Sequence, residues 1–180
     1  GGVARQAKGF NVKKTERKRA KVDEAAVQAC EADHGAAVGA EIVKVLRGEK
    51  MAASPGEMAR ARFSALRAGD ALFMARTELD GNRRTLEKRA RGWAVTFGQE
   101  ERTDDDGPPG LQVALESLER LEVIEEKGNE VEFKLHCGKV GMMHERSIFV
   151  EHDKFGWIFS GDNVFSKDIE GPGPMAAAPR

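Results

Sequence analysis

Residues 143–162, MHERSIFVEHDKFGWIFSGD, decide the fold. Ile148 and Val150 alternate with Phe149 and Glu151, His152-Asp153-Lys154 supplies a polar turn, and Phe155-Gly156-Trp157-Ile158-Phe159 runs back. Apolar β-branched and aromatic residues on both sides of a polar break predict a β-hairpin. Gly161-Asp162 reads as the stop of its second strand. A lone hairpin is only marginally stable in water, so these aromatics require a partner surface.

Upstream of the hairpin the strand pattern continues. Val131, Phe133, Leu135 and Cys137 share one face of an expected strand over 130–137, with Glu132, Lys134 and His136 on the other. Gly128-Asn129 is the turn before it, 138–141 the turn after it, and 118–125, with Leu121 and Val123 at period two, a further strand.

Before residue 98 the pattern is helical. Ser54-Pro55-Gly56-Glu57 is a helix start: a hydroxyl cap, a proline at the first helical position and a glutamate three residues after the cap. That helix ends near Gly69-Asp70, and Asp70 can cap a short helix over 71–78. A third helix is expected over 85–97. Residues 13–50 read as helix with a break near His34-Gly35 and a stop at Gly48; Gly35 and Gly39 either mark a turn or permit a close helix contact. Residues 98–110, GQEERTDDDGPPG, form an acidic loop.

Helices followed by an antiparallel meander give an α+β fold, in which N-terminal helices cover the apolar face of a curved sheet of about four strands. Trp93, Phe97, Trp157 and Phe159 are expected in the core. The chain divides into an extended basic tail (1–12), a helical N-terminal extension (13–50), the α+β domain (51–165) and an extended Pro/Gly/Ala-rich tail (166–180).

The 180 residues carry a net charge of −1, which favours neither nucleic acid nor an anionic membrane. Charge is unevenly spread, however. Lys8, Lys13, Lys14, Arg17, Lys18 and Arg19 cluster near the start beside Phe10, and form a candidate partner-binding segment. Cys30 and Cys137 are too few and too distant to suggest a disulfide framework, and read as free thiols of a reducing compartment. No apolar run approaches the ~20 residues of a membrane span, and no apolar signal-peptide segment is present near the start.

In order and wording, Ser54-Pro55, then Met58-Ala59-Arg60-Ala61-Arg62-Phe63-Ser64-Ala65-Leu66, Gly69-Asp70-Ala71 and Thr77, together with Glu145-Arg146-Ser147-Ile148-Phe149 and Gly156-Trp157-Ile158-Phe159, resemble the YchJ-like proteins over roughly residues 51–163. That resemblance implies a nuclear-transport-factor-2-like fold, a cone-shaped sheet wrapped on helices. The family often carries a cysteine-rich zinc motif at one or both ends. Only Cys30 precedes Ser54 here and no cysteine follows Trp157, so the zinc module is absent and its implied function does not transfer. Arg60, Arg62, Glu145 and Arg146 match the motif, and their chemistry suggests an internal ion pair or a capping role.

His136, His144 and Asp162 are the weak catalytic candidates, because relatives with this fold use a carboxylate or imidazole inside the cone. No Tyr is available as a phenol donor. The His and Cys spacings fit no standard zinc pattern, and no metal or cofactor is expected. The leading expectation is a non-catalytic accessory or scaffold subunit that docks on a larger assembly of protein subunits. The basic, Ala/Arg-rich start resembles the mature end left by a removed transit peptide, which favours the plastid stroma and a photosystem-associated role, with the mitochondrial matrix second. The alternatives are a small-molecule enzyme or carrier using the cone cavity, of isomerase or dehydratase type, and an organellar ribosome-associated protein whose basic tail contacts RNA.

Overall fold

The computed structural model describes residues 24–106 and 115–170. The chain forms two compact units, one ending at Val43 and the other beginning at Lys44. Helix α1 (24–34) stops at Gly35 in the first, and α2 (Ala36–Leu46), which begins immediately after it, carries the chain across that boundary. The two alternatives for the glycines are both realised. Gly35 makes the break, and Gly39 lies so close to α1 that a Cβ would sit 2.6 Å from the Cys30 carbonyl oxygen.

In the second unit three helices precede the sheet. α3 (Pro55–Ala68) starts as its sequence dictates: Ser54 is extended at φ −150°, and its Oγ accepts the Glu57 amide at 3.1 Å. Gly69 ends the helix by donating its amide back to the last turn, and Asp70 caps α4 (Ala71–Arg76) by accepting the Phe73 amide at 3.0 Å. Thr85 caps α5 (Leu86–Thr96) in the same way through the Lys88 amide. α4 ends at Arg76, two residues earlier than expected. Glu78 instead bridges to the sheet, with the Leu79 amide on the Phe159 carbonyl at 2.9 Å and the Phe159 amide on the Thr77 carbonyl at 2.8 Å.

Strands β1 (Arg120–Lys127), β2 (Glu130–His136), β3 (Met142–His152) and β4 (Gly156–Glu170) pair antiparallel in the order of the chain. The α+β class, the N-terminal helices and the four-stranded meander are therefore as the sequence indicates. β4 departs from expectation, since Gly161-Asp162 does not end it. Gly161 takes φ +87°, the Asp162 amide is held by the Ser160 hydroxyl at 3.1 Å, and the strand resumes, running through residue 165 to Glu170. The result is a bulge. Phe149 faces Phe159, while Ser147, two residues back, faces Asn163, four residues on.

The core also differs in detail. Phe63, Met58, Met74, Val131, Phe149 and Ile158 are among its well-enclosed members, whereas Trp93, Phe97, Trp157 and Phe159 are only half-buried. α3 explains the difference. Its small residues, Ala59, Ala61, Ser64 and Ala65, let it sink between its neighbours, so that Met58, Ala61 and Phe63 are all but sealed. Among the described residues no helix is long and apolar enough to cross a membrane.

Candidate ligand-binding site

Odd-numbered residues of β3 from Met143 to Phe149 face the helices. Met143, Glu145, Ser147 and Phe149 thus share one face of the strand, and two of the four are polar. Between this face and α3 lies a cavity of about 290 Å³. Phe133, Leu135 and Phe159 extend its sheet side, while Phe63, Leu66 and Met74 cover it from the helices. Two polar groupings interrupt these apolar walls.

The first is on the sheet. Asn163 Nδ2 donates to Glu145 Oε1 at 3.2 Å, and its Oδ1 lies 2.9 Å from Ser147 Oγ. Ser147 Oγ is also 3.5 Å from Glu145 Oε2. Burial pushes the Glu145 carboxyl above the ordinary glutamate value; hydrogen bonds from Ser166 and Ser147 and the charge of Arg62 pull the other way without cancelling it. Asn163 is exposed, so this end of the cavity meets solvent. The bulge at Gly161 is what brings Asn163 opposite Ser147.

The second grouping is on the helical side. Arg62, on α3, is buried and donates from Nη1 to the Met74 carbonyl at 2.9 Å and Thr77 Oγ1 at 2.8 Å, and from Nη2 to Glu78 Oε2 at 3.1 Å. Glu78 Oε1 accepts the Trp93 indole N–H at 2.8 Å. Burial lowers the Arg62 pKa and the Glu78 carboxylate works against that; a guanidinium stays charged in either case. Arg62 also lies over the Phe159 ring, 5.4 Å from its centroid.

Of the sequence candidates, none reaches the cavity. His136 and His144 occupy even positions and project from the opposite face of the sheet, where His136 Nε2 meets Glu122 at 2.9 Å and His144 Nε2 meets Glu132 at 3.3 Å. Asp162 is exposed within the bulge, between the cavity-lining Gly161 and Asn163. The motif residues divide similarly. Arg62 does form an internal ion pair, whereas Arg60 pairs with Glu126 near the surface at 2.7 Å. Arg146 sits on the outer face among Glu125, Glu130 and Glu132. Lys8, Phe10, Lys13, Lys14, Arg17, Lys18 and Arg19 lie outside the described residues.

Sequence reasoning passed over Ser147, Glu78 and Asn163, and gave Glu145 no place in a pocket. One signal was available: a glutamate and a serine interrupt the apolar row that ends at Phe149. Among the described residues no group of three or more His, Cys, Asp or Glu side chains is arranged to hold a metal. Comparison with protein-family models, curated proteins and solved structures finds no match.

Proposed function

We propose that the second unit binds a small molecule in the cavity between α3 and the sheet, with Glu145 as the polar anchor and the group able to exchange a proton with the ligand. One observation carries this reading. A partly buried carboxyl with a raised pKa projects into apolar space, held by the neutral side chains of Asn163, Ser147 and Ser166, with no cation bonded to it among the described residues. A carboxyl kept only to stabilise the fold gains nothing from such surroundings, while a site that must hold or move a proton does. The helix-then-meander order, the bulges and the enclosed space also support a nuclear-transport-factor-2-like cone and the likeness to YchJ-like proteins.

The test is calorimetric titration with small aromatic ketones, using 2-tetralone as the probe. Ala59, an α3 residue of the cavity wall, is changed to Phe to fill the space. Binding to the parent chain that is lost in Ala59→Phe supports the proposal; no binding, or equal binding by both, overturns it.

The reading as a docking subunit of a larger organellar assembly is a second proposal, supported by the basic run from Lys8 to Arg19 in the sequence. A pull-down with the full chain beside one lacking residues 1–21 tests it. A defined complex recovered only with the full chain supports docking, and an uncomplexed protein in both lanes overturns it.

A further inference from the structure

Resting on the ligand-site reading above, we infer that the cavity takes a compact amine, held as its ammonium ion by Glu145 and Asn163, with its apolar body among the aromatic walls.

The first ground is a count of charged groups. Among the described residues the lining holds two carboxyls, Glu145 and Glu78, and one guanidinium, Arg62. Arg62 and Glu78 are joined at 3.1 Å, so each largely offsets the other. Arg62 acts on Glu145 through its charge rather than through a hydrogen bond. An ammonium ion supplies the second positive charge that two carboxylates call for. A ligand carboxylate could use the N–H groups of Arg62 that Met74, Thr77 and Glu78 leave over, but it would set a third acid against one guanidinium.

The second ground is the hydrogen bonding of Glu145. Asn163 Nδ2 donates to it at 3.2 Å, and the hydroxyls of Ser147 and Ser166 also bond it. These neutral donors favour a carboxylate but bring no charge to balance it. An ammonium group has three N–H donors and no acceptor. Glu145 Oε2 and Asn163 Oδ1, at 3.5 and 2.9 Å from the same Ser147 Oγ, are neighbouring acceptors for it. The ion pair is the same whichever partner brings the proton, since an acid with an amine and a carboxylate with an ammonium have equal composition. At neutral pH an alkylamine arrives charged, as lysine does with a pKa of about 10.4. Any proton that Glu145 holds in the empty protein then leaves to solvent.

The walls supply the third ground. Phe133, Phe149 and Phe159 line the sheet side, with the Phe149 and Phe159 ring centroids 6.0 Å apart. Aromatic faces attract a cation and accept an apolar body equally well. At ~30 Å³ per water in the liquid, 290 Å³ corresponds to roughly ten water-sized groups, the size of a compact ring system.

The experiment is a matched titration at neutral pH with 2-aminotetralin, 2-tetralone and tetralin-2-carboxylate, on the full chain and on Glu145→Gln. The amine is expected to bind at least tenfold more tightly than the ketone or the carboxylate. Glu145→Gln should lose about tenfold for the amine and hold the ketone within a few-fold. The ketone or the carboxylate binding the parent as tightly as the amine overturns this inference and leaves the ligand site standing. Amine binding unchanged in Glu145→Gln, or an equal loss of amine and ketone, also overturns it. If no probe binds, the ligand site itself is refuted, and this inference with it.

Discussion

Ser147 Oγ lies 2.9 Å from Asn163 Oδ1 and 3.5 Å from Glu145 Oε2, so one hydroxyl stands between an amide and a carboxyl. Burial favours the protonated form of Glu145, against its hydrogen bonds and the charge of Arg62. Its folded-state pKa is raised, so between the ordinary glutamate value of about 4.3 and the folded value the native state holds more protons than the unfolded chain. Stability therefore falls as pH rises through that window. Glu145→Gln removes the liability. Its melting temperature relative to the parent should be lowest near pH 4 and climb toward pH 8; a difference that stays flat or shrinks over that range contradicts the assignment. Among the described residues, Arg62 and Glu78 are the other charged groups of the lining and are unchanged in this comparison.

Arg62 supports the roof of the cavity. Replacing it with Met strands Glu78 in a partly buried setting and frees Met74 O and Thr77 Oγ1. The expected cost is about 3–5 kcal/mol. Adding Glu78→Gln should recover part of it, with a coupling of about 0.5–3 kcal/mol. Chemical denaturation of the four proteins of the cycle measures this, and strictly additive losses would show that the pair does not act as a unit.

His136, His144 and Asp162 lie off the cavity, so His136→Ala and Asp162→Ala should leave 2-tetralone binding within twofold of the parent. A tenfold loss in either would mean that the ligand enters from the outer face or through the bulge.

Gly156 has φ +79°, and a Cβ there would lie 2.1 Å from the Ala52 carbonyl oxygen, in the segment whose amide bonds Phe155. Gly156→Ala is expected to cost about 1–3 kcal/mol through the backbone conformation alone, with the clash adding to it. A melting temperature equal to the parent's would mean that the segment before Ser54 detaches at little cost.

The elements were legible wherever one local rule governed them. Ser54, Asp70 and Thr85 cap helices because short polar side chains outcompete continued helix at those points, and Val131 through Leu135 reveals its strand by alternation. Gly161-Asp162 misled because the pair that ends a strand can also bulge one; which occurs depends on whether β3 continues as a partner, and that is not local information. The site was obscured for a related reason. Histidines attract notice as chemistry-bearing residues, but their even register on β2 and β3 turns them outward. Glu145 lies one register position away from His144 and faces inward. Glu78 reaches the cavity only because residues 77–79 leave the helix and lie along β4, a tertiary outcome that favourable helix propensity in the preceding turn conceals.

That excursion has another consequence. β4 is an edge strand, and the outward N–H and C=O of Phe159 would otherwise be free to template pairing with a second chain. Thr77 and Leu79 occupy both groups. The three-residue detour that delivers a carboxylate to Arg62 therefore also guards the sheet against self-association at its most aromatic edge position. Any change that releases it should reveal itself first as aggregation on storage, before any loss of helix or strand content.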